Sequence, residues 1–197
     1  MAVEMATGLF TRRNVLKTVV AGVLVSAGNL LTRSGRAGTA EVIEGTPKTV
    51  FPERALWLHR VQTREEGRVL YYQDNTVVQE GYALLCYLLR DVRAEQATPM
   101  DLGLIHLLFG IQTWMRACGI RQPLQVNSGY RTPQTNAHTE GAAVHSRHLL
   151  GQAADFTVAG IPPPVLAKLA LKFNTGGVGV YPGFVHVDTG PIRMWTS

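Results

Sequence analysis

Apolar and polar positions divide the chain into three textures. Residues 18–31 form an uncharged run dominated by Val, Ala, Leu and Gly, and residues 41–53 mix Gly, Pro, Lys and Thr without periodicity, as a linker or arm does. Residues 54–197 alternate between two-residue and 3.6-residue periods, the marks of strands and amphipathic helices. Ala55–Thr63 and Arg68–Tyr72 are rich in Leu, Trp, Val and Tyr, and the polar Arg64–Gly67 between them predicts a β-hairpin. Val77–Arg90 is apolar at helical spacing. In the next segment Leu104, Leu107, Leu108, Ile111, Trp114, Met115 and Cys118 follow the 3.6-residue period as expected core positions. There Thr98 is placed to cap the helix, with Pro99 at its first position, Asp101 in its first turn and Gly119 as its stop. Beyond Gly119, Leu124–Ser128 and Ala153–Val158 read as strands around a polar loop of about two dozen residues, a length that inside a compact domain usually marks function. Pro163–Phe173 predicts another helix, and Val178–Tyr181, Phe184–Asp188 and Arg193–Thr196 predict short strands divided by Pro and Gly. Such irregular succession points to an α+β domain, expected here as a small antiparallel sheet with packed helices.

Composition narrows the class. Of the 197 residues 46% are hydrophobic, too many for a disordered chain, and one long uncharged run is too few for a multi-span membrane protein. The net charge of +5 is unevenly spread: residues 1–40 carry five basic side chains against one acid, leaving 14 basic and 13 acidic groups in the other 157 residues. The nearly neutral body offers no basic face for nucleic acid. Thr11-Arg12-Arg13-Asn14-Val15-Leu16-Lys17, the apolar run after it and the small residues Gly38-Thr39-Ala40 resemble a twin-arginine signal peptide. That resemblance implies delivery to the periplasm by the twin-arginine machinery, with cleavage after Ala40. An uncleaved anchor is the other reading, although a membrane-crossing helix takes about 20 residues. The expected organisation is a signal peptide at 1–40, a linker at 41–53 and one domain at 54–197. Cys86 and Cys118 lie in apolar helical stretches and are expected as buried thiols, though an oxidising compartment also permits a disulfide.

Residues with ligand chemistry gather in the second half. His148 and Asp155 are separated by six residues that include Gly151, so a loop imidazole and a strand carboxylate can converge on one point. In Val185-His186-Val187-Asp188 the two-residue period sends both valines to one face and both polar groups to the other. Two imidazoles and a carboxylate leave the fourth zinc position open for water, whose pKa zinc lowers to about 7. A structural zinc is usually closed by four ligands, often Cys, and no Cys cluster is present.

Three motifs carry a family resemblance: Ser128-Gly129-Tyr130-Arg131-Thr132, Ser146-x-His148-x-x-Gly151-x-Ala153-x-Asp155, and Phe184-Val185-His186-Val187-Asp188-Thr189-Gly190. In this order they resemble the M15-type zinc peptidases that cut peptidoglycan peptides, and within these the DUF882 branch, which includes exported murein endopeptidases of Gram-negative bacteria. The resemblance covers roughly Arg54 to Trp195. It implies the M15 fold, Zn2+ held by His148, Asp155 and His186, and peptidoglycan cross-links as substrate, cut by an endopeptidase or carboxypeptidase of the D,D or L,D kind. It also implies that Arg131 holds a substrate carbonyl or carboxylate; a loop salt bridge is the other reading of that residue. Many relatives place an acidic or histidine base two or three residues before the last ligand, where this chain has Phe184 and Gly183. Asp188, about 6.6–6.8 Å along the strand from His186, is the substitute, either as the base or as a group orienting a ligand imidazole. His145 and His138 read as solvated loop residues, although His145 shares a face with His148 if that segment is helical; His59 and His106 read as structural, and Ser128 as a hydrogen-bonding neighbour. Two rival classes remain: a peptidoglycan-binding module on the same fold without turnover, and a metal-dependent redox protein, for which haem, iron–sulfur and flavin signatures are missing.

Overall fold

The computed structural model describes residues 53–197; the expected signal peptide and the linker as far as residue 52 lie outside them. The strands are β1 (Arg54–Arg60), β2 (Glu66–Gln73), β3 (Thr76–Val77), β4 (Leu124–Ser128), β5 (Ala153–Thr157), β6 (Gly177–Val180), β7 (Val185–Asp188) and β8 (Arg193–Thr196). The helices are α1 (Gln79–Leu88), α2 (Leu102–Ala117), α3 (Pro133–Ala137) and α4 (Pro163–Leu171). The strands form one eight-stranded sheet in the order β3-β2-β1-β4-β5-β7-β6-β8.

The α+β class is as expected, but the sheet is neither small nor purely antiparallel. β4 runs parallel to β1, and β8 parallel to β6. Parallel neighbours need a long connection between them, and here α1 and α2 carry the chain back before it enters β4. Leu56 and Leu58 of β1, Val126 of β4, Phe156 of β5 and Val187 of β7 share one buried cluster with Leu85, Leu108 and Leu166 of the helices. Each such side chain removed from water contributes about 1.5–3 kcal/mol.

α2 begins later than its sequence signals suggest. Its cap is Asp101, whose Oδ1 accepts from the Leu104 amide at 3.0 Å, while Thr98 and Pro99 lie in the extended entry segment. A residue before proline avoids the helical region, and Met100 is anchored by its amide on Cys86 Sγ at 3.3 Å. Both cysteines are free; Cys86 is buried as expected, but Cys118 is exposed because it falls just past the last helical turn. The long polar loop is also more ordered than its composition predicts. Thr132 caps α3 through the Thr135 amide at 3.1 Å, and a 3₁₀ turn spans Arg147–Leu150. Gly151 closes that turn at φ 66°, a left-handed conformation natural to glycine.

Candidate metal centre

The centre is built where β5 meets β7. Their antiparallel register sets Asp155 directly opposite His186, so both side chains leave the same face of the sheet. On β7, Val185 and Val187 enter the core and His186 and Asp188 face away from it, as the two-residue period predicts. His148 comes from the 3₁₀ turn. Among the described residues, His148, Asp155 and His186 form a buried group whose ligand atoms all lie within 4.8 Å of one another.

Each imidazole is aimed from behind. His148 Nδ1 donates to the Gly129 carbonyl at 2.6 Å, which leaves the Nε2 lone pair facing inward. His186 Nε2 donates to Asp188 Oδ2 at 3.1 Å, which leaves its Nδ1 lone pair facing inward. The two inward nitrogens are 3.2 Å apart, and Asp155 Oδ1 lies 3.2 Å from the first and 2.8 Å from the second. Two lone pairs and an anionic oxygen converging on one point repel each other unless a cation joins them. This donor set fits a divalent metal, and zinc in particular accepts two imidazoles and a carboxylate.

Electrostatics agree with that fit. Burial pushes His148 below its ordinary value and so favours the neutral, ligating imidazole. Burial opposes the Asp155 charge, but His148 and His186 overcome it and hold the carboxyl well below the usual range. Burial would lower His186 too, yet its hydrogen bonds to Asp155 and Asp188 raise it. A ring held between two carboxylates attracts a proton, and a metal cation competes for the same place.

Arg131 is paired with Asp155 Oδ2 through Nη2, and its Nε donates to Ser128 Oγ at 2.8 Å. The guanidinium therefore fixes the carboxylate orientation while also lining the cleft. Asp188 stands behind His186. Its side chain is fully buried on the far side of the His186 ring, where it also accepts from the Gly177 and Gly190 amides at 3.0 and 2.8 Å and from Arg193 Nη2 at 2.7 Å. A carboxylate so placed, hydrogen-bonded behind the ring and turned away from the inward lone pairs, has the geometry of a group that orients a ligand imidazole. His145 and His138 are exposed, His145 on the cleft rim and His138 on the Gln134 carbonyl at 2.8 Å. His59 pairs with Glu66 on the hairpin, and His106 with Tyr71 under α2.

Residues 48–195 match a family model described as "Peptidoglycan L,D-endopeptidase MepK". The chain belongs to this family. A relative of that name in Escherichia coli strain K12 is 39% identical over 148 residues, covering 72% of this chain and 80% of the relative, and one in Shigella flexneri gives the same figures. The "Probable peptidoglycan L,D-endopeptidase MepK" of Haemophilus influenzae is 42% identical over 118 residues, 56% of this chain and 62% of that protein.

In this member of the family the centre opens into a cleft of about 1380 Å³. One wall is aromatic, a feature sequence reasoning missed. Tyr181 and Phe184 stack with centroids 4.5 Å apart, and the Trp195 ring lies 5.2 Å from His186 with its Nε1 on Tyr181 Oη at 3.0 Å. Gly179 makes this possible, since a Cβ there would stand 2.6 Å from the Trp195 ring. The glycine alternation of Gly177-Val178-Gly179 was the available signal.

Proposed function

We propose that the chain is a zinc-dependent murein endopeptidase of the L,D type, acting in the periplasm on peptide cross-links of peptidoglycan. The observation that carries the reading is the convergence of His148 Nε2, His186 Nδ1 and Asp155 Oδ1, each held from behind by a partner of its own. Membership of the family and the names of its relatives support the bond type and the substrate. The α+β domain is then an M15-type zinc peptidase fold, and the signal at residues 1–40 its route of export.

A bound Zn2+ would supply Lewis acidity toward the scissile carbonyl and a water nucleophilic at neutral pH. The chain's own residues do the positioning. His148 and His186 present neutral lone pairs, and Asp155 adds one negative charge. Arg131 holds Asp155 through one amino group and, from the cleft wall, offers its remaining donors to the carbonyl oxygen as charge develops there. Asp188 keeps His186 in the ligating tautomer. The walls of Tyr181, Phe184 and Trp195 provide apolar surface for the stem peptide.

Purified muropeptide dimers joined by L,D or by D,D bonds test the reading. Chromatography is expected to show monomers released from the L,D-linked dimer alone, with release stopped by a chelator. Retention of both dimers without cleavage would instead make the chain a binding module.

A further inference from the structure

Arg60 ends β1 at a position where alternation with Leu56 and Leu58 calls for a third apolar side chain. It is 3% exposed, and its Nε and Nη1 are buried without a hydrogen-bond partner. A buried guanidinium without a counter-charge is strongly unfavourable. The acids around it are already engaged. Asp91 accepts from the Arg93 and Ala94 amides and from Thr132, Glu65 from Arg90, Tyr87 and Thr63, and Asp155 from Arg131. Burial and the like charge of Arg90 push Arg60 down to about 10, although the charges of Asp91, Glu65 and Asp155 act the other way.

Arg60 also lines the cleft that holds the metal centre, beside Asn127, Ser128 and Arg131. Asn127 Oδ1 is another buried atom without a partner, an acceptor suited to a peptide N–H. Arg60 pairs with Val126 of β4, and Ser128 of β4 pairs with Asp155 of β5. Two strand spacings put Arg60 on the order of 10 Å from the centre, or about three residues of extended peptide. It lies on the β4 side, away from the aromatic wall of β7 and β8.

We propose that Arg60 is a specificity-determining residue that binds a carboxylate of the substrate peptide, with Asn127 accepting an N–H of the same peptide. The proposal rests on the peptide-substrate reading above. A carboxylate would meet the guanidinium fork and give Nε and Nη1 the direct charged partner that Asp91, Glu65 and Asp155, engaged elsewhere, do not, whereas a carboxamide offers a single neutral acceptor.

Calorimetry on the zinc-loaded protein tests this with two probes: a muropeptide monomer with a free carboxylate on its diamino acid, and the same monomer amidated there. Binding needs no turnover, so the outcome stands even if no cross-link is cut, and an absence of cleavage counts against the endopeptidase reading alone. Wild type is expected to hold the acid about tenfold or more tighter than the amide. Arg60→Met, close in volume, is expected to fold and to lose that preference, while Arg60→Lys keeps part of it. Equal affinity of wild type for acid and amide would overturn the proposal, as would an Arg60→Met protein that still prefers the acid.

Discussion

His186 Nε2 lies 3.1 Å from Asp188 Oδ2, so the ring nitrogen turned toward Asp155 is Nδ1 and the carboxylate sits behind the ligand. A partner of this kind tunes a ligand's orientation and basicity. Asp188→Asn is expected to weaken zinc affinity about 10–100-fold and to recover much of its activity in excess zinc. Zinc titration followed by cleavage assays at saturating metal reads both. Normal affinity with turnover lowered by orders of magnitude would restore the proton-transfer role.

Gly129 makes a similar prediction through the backbone. Its carbonyl anchors His148, and a Cβ at this position would stand 2.2 Å from the Leu89 carbonyl oxygen. Because the obstacle is backbone, Gly129→Ala is expected to displace the loop, cost about 1–3 kcal/mol of stability and lower metal affinity. Chemical denaturation and zinc titration measure the two effects; an unchanged midpoint would refute the crowding.

Arg131 holds Asp155 through a side-chain pair that lysine cannot reproduce while also reaching Ser128. Arg131→Lys is expected to keep the fold and lose about 2.7–4 kcal/mol of transition-state stabilisation, roughly 10²–10³ in kcat, if its donors meet the developing oxyanion. A change confined to KM would assign the residue to ground-state binding instead.

Acid should destabilise the domain in part through His106. Its Nδ1 accepts from Tyr71 Oη at 2.9 Å and Arg54 Nη1 at 3.2 Å, and burial, helped by Arg54, lowers its pKa. The unfolded chain then binds the proton more readily, so stability falls as pH drops through the unfolded histidine value, about 6.5, and levels off below the folded value. Denaturation curves at neutral and mildly acid pH should show a smaller loss for His106→Gln than for wild type. An equal loss would contradict the assignment.

Local pattern made much of this legible in the sequence. The hairpin of β1 and β2 and the stripe of α2 follow from periodicity, and the alternation in Val185-His186-Val187-Asp188 placed His186 on the open face. What stayed hidden depends on long-range registers. The parallel pairing of β8 with β6 brings Trp195 over Gly179, and neither segment announces the other. The hold of the Gly129 carbonyl on His148 spans a loop whose short helices are set by capping and by Asp91. Arg60 falls within the predicted strand Ala55–Thr63 without a sign of burial; only the packing shows a guanidinium in a core position.

The central claim is a metal centre made of these three residues. Anomalous diffraction at the zinc edge from zinc-loaded crystals tests it most directly. One ion is expected about 2.0–2.2 Å from His148 Nε2, His186 Nδ1 and an Asp155 oxygen. An ion ligated elsewhere, or a protein that takes up no zinc at this point, would contradict it.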